Sequence, residues 1–93
     1  MTKLSPTEIE DRIKEAPEWS VVGDAISRTF QFKDFAAAMR FVNQAAQHAE
    51  NVQHHPDMLI RWNRVTLTLS THDAGGISEK DFAFAQFADG LKP

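Results

Sequence analysis

The chain has 93 residues, of which 42% are hydrophobic and 25% charged, so it can form one hydrophobic core and is unlike a disordered protein. Its net charge of −3 at pH 7 disfavours contacts with a phosphate backbone, so we expect no nucleic acid partner. The absence of cysteine excludes disulfides, thiolate metal ligands and a cysteine nucleophile, and no apolar run is long enough to span a membrane. We therefore expect a single cytoplasmic domain over residues 1–93, with no contact to a membrane.

The first predicted element is a short helix. The run Ser5-Pro6-Thr7-Glu8 has the pattern of a capping box, with proline at the first helical position. Pro17 ends this helix, because the residue before a proline disfavours helical dihedral angles. So short a helix is expected to depend on packing against the rest of the domain.

Two strands are predicted next, over residues 19–22 and 26–32, with Gly23-Asp24 at the turn between them. Apolar and polar residues alternate along the second strand, as expected when one face of a sheet is buried. Arg28 interrupts the apolar side of this strand, which indicates a position near a sheet edge.

The longest predicted helix covers residues 35–51. Asp34 precedes it and is a typical N-cap residue. Apolar residues recur at helical spacing and predict the buried side of the helix: Phe35, Met39, Val42, Ala46 and Ala49.

A second pair of strands is predicted over residues 58–62 and 65–70, with Asn63-Arg64 at the turn. A last helix begins after Ser78, whose side chain is expected to cap it together with Asp81. The element order is therefore α-β-β-α-β-β-α. This order predicts an α+β fold, in which a four-stranded antiparallel sheet has helices packed on one face.

Three of the four histidines lie in two short polar runs that flank the second predicted hairpin. The first run contains His54, His55 and Pro56, and the second is Ser70-Thr71-His72-Asp73. The two strands between these runs would bring both to the same end of the hairpin. Imidazole has an unperturbed pKa of about 6.5 and can donate or accept a proton near neutral pH. Three imidazoles around one cavity would support acid–base catalysis without a redox cofactor.

Metal binding is the main alternative for these histidines, because carboxylates lie close to them in the sequence. Nitrogen and oxygen ligands could come from His54, His55 and His72 with Glu50, Asp57 or Asp73. The chain has no H-E-x-x-H pair and no cysteine, and adjacent histidines rarely bind one ion, so we expect no metal. Without other evidence, a His-His pair in a loop is more often an exposed surface feature.

The ordered set of these motifs resembles the pterin-4a-carbinolamine dehydratase family. It consists of E-x-x-x-H-H-P beginning at Glu50, then S-T-H-D at residues 70–73 and S-E-K-D at residues 78–81. Similar residues continue upstream to Trp19, so the resemblance covers about residues 19–89. One departure is Met58, which stands where members of the family often have tryptophan, and it removes an aromatic surface near the expected pocket or subunit contact.

The resemblance implies a dehydratase without a cofactor, which converts 4a-hydroxytetrahydropterin to quinonoid dihydropterin and water in tetrahydrobiopterin recycling. It implies that His54 and His55 act near the leaving hydroxyl and that His72 accepts a proton. The residues expected to bind the substrate are Glu50, Gln53, Pro56, Ser70, Thr71, Asp73, Trp19 and Asp81. For Trp19 the expected role is stacking on the flat ring.

The resemblance also implies a homodimer or homotetramer and a functional link to an aromatic amino-acid hydroxylase, which would form the substrate. A different class of function remains open at this point. The chain could be a non-catalytic dimerisation or binding module for a protein partner, because a small sheet with helices on one face offers a suitable surface.

Overall fold

A computed structural model of the chain describes residues 2–91, and it has the predicted order of helices and strands. One turn of 3-10 helix, His72–Ala74, lies between the last strand and the last helix. The elements are α1 (Pro6–Ile13), β1 (Ser20–Val22), β2 (Ala25–Gln31), α2 (Phe35–Val52), β3 (Asp57–Arg61), β4 (Arg64–Leu69) and α3 (Glu79–Leu91).

The α+β prediction is confirmed. The four strands form one antiparallel sheet in the order β1-β2-β4-β3, and the helices pack on one face of it. The alternation in β4 puts Val65, Leu67 and Leu69 in the core with no exposed surface. On the opposite face, hydroxyl groups pair across the strands, as in the contact of Thr29 with Thr66 at 2.7 Å.

Two helices begin with the predicted caps. The backbone N–H of Glu8 donates to Ser5 Oγ at 3.2 Å, and the backbone N–H of Ser5 donates to Glu8 Oε1 at 2.9 Å, which completes the capping box of α1. Asp34 caps α2 by accepting the backbone N–H of Ala37 at 2.8 Å. These bonds satisfy N–H groups that have no partner within the helix.

The predicted buried side of α2 was partly wrong. Phe35 is exposed, and so is Ala46, although both fit the predicted stripe. The apolar side of the helix is wide, so two rotations of the helix about its own axis would each bury apolar residues. In the structure, the helix has the rotation that packs the bulky ring of Phe41 against Phe30, with 4.6 Å between ring centroids. The buried residues of the helix are Ala38, Phe41, Val42, Ala45 and Ala49.

The expected edge position of Arg28 was also wrong. Its strand, β2, is an interior strand of the sheet, and Arg28 lies opposite Leu67. The guanidinium is 4.2 Å from the ring centroid of Phe30 and donates to Asp89 Oδ1 at 2.6 Å. A carboxylate from α3 therefore allows a cation to occupy a largely buried position in the middle of the sheet.

Within residues 2–91, no helix has both the length and the apolar character that crossing a bilayer would require.

Candidate active site

The antiparallel pairing of β3 with β4 brings the two polar runs to one end of the sheet. Asp57, the first residue of β3, lies opposite Thr68 near the end of β4. Continuing this register beyond the strands would place His54 opposite Thr71. The histidine run before β3 and the polar run after β4 are therefore neighbours, as the sequence predicts.

A left-handed residue at the end of α2 directs the two adjacent histidines to different environments. Gln53 has φ 53° and ψ 46°, and its side-chain amide donates to the Glu50 carbonyl at 2.7 Å. The backbone N–H of His54 still bonds back to the Ala49 carbonyl at 3.1 Å, which completes the end of the helix. After this turn the side chain of His54 is 10% exposed, whereas that of His55 is 56% exposed.

His54 is held by a fully buried carboxylate from α3. Its Nε2 lies 2.6 Å from Asp81 Oδ1, and Asp81 has no exposed surface. The other oxygen, Oδ2, accepts from Thr71 Oγ1 at 2.9 Å and from the Ser78 backbone N–H at 2.9 Å. A carboxylate accepts hydrogen bonds, so His54 donates to Asp81 through Nε2, and Nδ1 is the ring nitrogen that has no contact with Asp81.

His55 forms a similar pair at the surface. Its Nε2 lies 2.5 Å from Glu50 Oε2, and both side chains are exposed. Both adjacent histidines therefore have Nε2 against a carboxylate, one pair buried and the other in solvent. In each pair the carboxylate fixes the orientation of the ring.

The loop after β4 is built around Thr71. Its backbone N–H donates to the Gly76 carbonyl at 2.9 Å, and its hydroxyl is 2.6 Å from Ser78 Oγ. Gly75, with φ 77°, supplies the left-handed turn that closes the loop. His72 and Asp73 lie in this loop and are exposed, and the side chain of His72 has no hydrogen-bond partner within residues 2–91. An exposed imidazole without a partner is available to a ligand.

Ser70 has a structural contact of its own, because its hydroxyl donates to the Asp24 carbonyl at 2.7 Å and holds the turn between β1 and β2. Gln53 is exposed and Pro56 is half-buried beside the histidines.

Three cavities of about 440 to 510 Å³ are lined by residues other than the three histidines. Within residues 2–91, no three His, Cys, Asp or Glu side chains are placed to hold one metal ion.

Three expected substrate contacts need correction. Trp19 is 3% exposed, packs edge-on against Phe30 and donates through Nε1 to Asp89, so it has no face for a ligand. Asp81 is fully buried, and its carboxylate contacts only groups of the protein. The hydroxyl of Thr71 is also buried and donates to Asp81. Asp81 and Thr71 therefore position His54, and Trp19 belongs to the core.

The buried pairing of His54 with Asp81 was not predicted, although the sequence contains a signal for it. Asp81 lies on the apolar side of α3, in a stripe with Ile77, Phe84 and Ala88. A carboxylate at a core position of an amphipathic helix requires a buried hydrogen-bond donor. The sequence gives no indication of which donor it meets.

The family model described as pterin 4 alpha carbinolamine dehydratase matches residues 2–91. The chain belongs to the pterin 4 alpha carbinolamine dehydratase family. This membership supports a dehydratase function that acts on a pterin.

Two relatives are similar over almost their whole length. A protein of Acidobacterium capsulatum is 48% identical over 91 residues, which cover 98% of this chain and 99% of the relative. A protein of Cyanothece sp. is 53% identical over 83 residues, covering 89% and 86%. Both are provisionally named pterin-4-alpha-carbinolamine dehydratases.

Two solved structures have similar folds. The crystal structure of a transcriptional coactivator/pterin dehydratase from Brucella melitensis has a TM-score of 0.95 and 35% identity, covering 99% of this chain and 100% of that one. A pterin dehydratase-like protein identified as a RuBisCO assembly factor in the alpha-carboxysome has a TM-score of 0.66 and 24% identity, covering 80% and 86%. At that identity the second structure shows a shared fold alone.

Proposed function

We propose that this protein is a dehydratase that converts 4a-hydroxytetrahydropterin to quinonoid dihydropterin and water by histidine acid–base catalysis, in tetrahydrobiopterin recycling. The observation that carries this proposal is the contrast between two adjacent histidines. His54 is anchored by the buried Asp81, and His55 is exposed beside it at the same end of the sheet. The exposed His72 follows Thr71, which shares the carboxylate of Asp81.

The reaction needs one proton donor and one proton acceptor. The C4a–O bond of the substrate breaks as the hydroxyl group takes up a proton and leaves as water, because hydroxide is a poor leaving group. The neighbouring ring nitrogen loses its proton as the C4a–N double bond forms. The electrons of the N–H bond enter the new double bond and those of the C–O bond leave with oxygen, so no redox cofactor takes part.

We assign proton donation to His54 and His55 and proton acceptance to His72. Asp81 would hold the ring of His54 with Nδ1 directed to the substrate, and Glu50 would orient the ring of His55 in the same way. Ring binding is assigned to residues with accessible surface at this end of the sheet: Gln53, Pro56, Ser70 and Asp73. The substrate would be supplied by an aromatic amino-acid hydroxylase.

A dehydration assay tests the proposal directly. The carbinolamine is generated in situ by an aromatic amino-acid hydroxylase, and quinonoid dihydropterin is followed by its absorbance. Loss of general acid or base catalysis predicts a fall of about 10²- to 10⁴-fold for His54→Ala and for His72→Ala. His48→Ala is the matched control, since this histidine stacks on Phe87 between α2 and α3 and lies outside the proposed site. Wild-type turnover no faster than buffer, or full activity of His54→Ala, would end the proposal.

A protein-binding function is the second candidate, and exposed apolar side chains on both edge strands favour it. Val21 and Val22 of β1 are exposed, as are Leu59 and Ile60 of β3. One solved relative, from Brucella melitensis, is described as a transcriptional coactivator/pterin dehydratase. Titration with a reduced pterin analogue, followed by tryptophan fluorescence, separates the two candidates. Saturable binding that is lost in His54→Ala favours the enzyme, and a tight protein partner indifferent to that change favours the binding module.

A further inference from the structure

The loop that carries His72 connects β4 to α3 and covers residues 70–78; we call it the His72 loop. It is closed from within, because the backbone N–H of Thr71 donates to the Gly76 carbonyl at 2.9 Å. The imidazole of His72 is exposed and makes no hydrogen bond within residues 2–91. The position of this imidazole therefore depends on how firmly the backbone of the loop is held.

Both ends of the His72 loop are held by parts of the chain that come before β2. At the start of the loop, the Ser70 hydroxyl donates to the Asp24 carbonyl at 2.7 Å. At its end, the Ile77 carbonyl accepts the backbone N–H of Leu4 at 2.8 Å. Leu4 and Ile77 are buried, with 8% and 2% of their surface exposed. This second hydrogen bond is therefore shielded from water, and its loss would leave two buried polar groups without a partner.

The side chain of Lys3 lies against Gly76, next to that hydrogen bond. A Cβ atom at Gly76 would be 2.8 Å from Lys3 Cδ and 3.3 Å from Lys3 Cγ, which is closer than van der Waals contact. Gly76 is buried and Lys3 is exposed, so the aliphatic part of the lysine covers the loop backbone while the residue remains in contact with water. Residues 3–5, which we call the arm, thus contact the end of the His72 loop through two consecutive residues.

The arm is itself held in place by α1. None of the eight residues of α1 is fully buried, so the helix adds little to the core. Its capping box fixes Ser5 in an extended conformation, with φ −74° and ψ 161°, and thereby sets the direction in which Leu4 leaves the helix. Near the other end of α1, Arg12 forms an ion pair with Glu79, the first residue of α3. The arm and α1 are therefore attached on both sides of Ser78, where the His72 loop meets α3.

We propose that the arm and α1 position His72 for proton transfer, with Leu4 as the main positioning residue. This inference rests on the proposed dehydratase function, in which His72 accepts a proton. A side chain that no neighbour binds keeps a productive position only when the backbone beneath it is held rigidly. Loosening the arm should therefore lower kcat through the loop.

Hydrogen exchange tests the support of the loop without reference to activity. Leu4→Ala removes most of a buried side chain, so the backbone N–H of Thr71 should exchange at least about 10-fold faster than in wild type. Leu4→Met keeps the volume and should restore slow exchange. Leu91→Ala is the matched control, because this leucine is half-buried at the other end of α3. Unchanged exchange of Thr71 in Leu4→Ala, or an equal rise in Leu91→Ala, would overturn the support.

Replacements of Lys3 give a second test that removes no buried side chain. Lys3→Ala deletes the carbons that cover Gly76 and should speed the exchange of the Thr71 N–H, by less than Leu4→Ala does. Lys3→Met retains an aliphatic stem without the charge and should exchange as wild type does. Equal exchange in Lys3→Met and Lys3→Ala would show that the stem does not act, and would contradict its packing on the loop.

The dehydration assay tests whether the position of the loop matters for catalysis. Leu4→Ala should lower kcat about 10-fold, as loss of a supporting contact does, Leu4→Met should restore most of it, and Leu91→Ala should stay near wild type. Because the effect acts through His72, adding Leu4→Ala to His72→Ala should change the remaining activity less than about 2-fold. A further 10-fold loss in the double variant would overturn the role of Leu4 in positioning His72.

Two outcomes separate this inference from the proposed function. An active wild type in which Leu4→Ala speeds the exchange of Thr71 but keeps full kcat would overturn the positioning role alone. A wild type that does not dehydrate the carbinolamine would refute the dehydratase proposal, and with it the role of the arm in proton transfer. The exchange rates would then still decide whether the arm supports the loop.

Discussion

His54 and Asp81 are 27 residues apart in the chain and meet in the interior, with 2.6 Å between Nε2 and Oδ1. Asp81 is in the first turn of α3, where its carboxylate also accepts the backbone N–H of Ser78. One side chain thus anchors the start of the helix and orients an imidazole. Stability and activity are expected to depend on it together.

Asp81→Asn removes the negative charge of this side chain and keeps its volume. An amide has one acceptor oxygen in place of two and adds N–H donors, so at least one of the three groups that now donate to Asp81 loses its acceptor. We expect the free energy of unfolding to fall by about 2–3 kcal/mol and activity to fall about 10- to 100-fold. Urea denaturation and the dehydration assay measure the two effects. Asp73→Asn, at an exposed neighbouring carboxylate, should leave stability within about 0.5 kcal/mol, and an Asp81→Asn protein as stable as wild type would contradict the buried network.

Glu50→Gln should lower activity with little effect on stability. Glu50 and His55 are both exposed, and such pairs contribute about 0–1 kcal/mol to stability. We expect little change in the urea midpoint and a fall in kcat of about 10-fold, because His55 loses the carboxylate that orients it. Glu10→Gln is the control, at an exposed carboxylate of α1. Unchanged kcat in Glu50→Gln would mean that His55 does not depend on this contact.

The strand pairs could be predicted because the relevant signals are local. Val65, Leu67 and Leu69 alternate with hydroxyl residues in β4. This alternation predicts which face of the strand is buried without any knowledge of tertiary contacts. The neighbourhood of the two histidine runs follows from the hairpin alone. The fold and the proximity of the two histidine runs were therefore predictable.

The environment of each side chain was not predictable, because it depends on contacts distant in sequence. Trp19 finds its acceptor, Asp89, 70 residues later, and this hydrogen bond keeps the indole inside. Likewise, His48 of α2 stacks on Phe87 of α3, with ring centroids 3.6 Å apart. A match to a family motif shows where a residue lies along the chain. The packing of the helices determines which way its side chain faces.

The capping box of α1 gives a prediction for acidic pH. Its hydrogen bonds with the Ser5 backbone N–H and then the Ser5 hydroxyl lower the pKa of Glu8 below the ordinary value of 4.5. A depressed carboxyl pKa contributes stability that is present above the unfolded pKa and is lost as pH falls through the folded pKa. Wild type should therefore lose stability relative to Glu8→Gln as the pH drops from about 5 to 3. Thermal unfolding of both proteins over this range measures the difference, and a constant difference in Tm would contradict the cap.

Asp89→Ala tests the contact between α3 and the sheet. Asp89 accepts from Trp19 Nε1 at 2.9 Å and from Arg28 at 2.6 Å, and the Arg28 side chain is 15% exposed. Removing the carboxylate leaves a largely buried cation and an indole N–H without an acceptor. We expect a loss of about 2–3 kcal/mol, less than for a fully buried pair because Asp89 is itself 31% exposed.

A double-mutant cycle with Arg28→Met isolates the ion pair within that loss. Methionine keeps much of the packing of Arg28 on Phe30 and removes the charge. Once Arg28 is neutral, loss of Asp89 leaves only the indole N–H without a partner, so the double variant should be more stable than the sum of the single effects by about 1–2 kcal/mol. Urea denaturation of the four proteins gives this coupling energy. Simple additivity would mean that the contact at 2.6 Å contributes nothing to the attachment of α3 to the sheet.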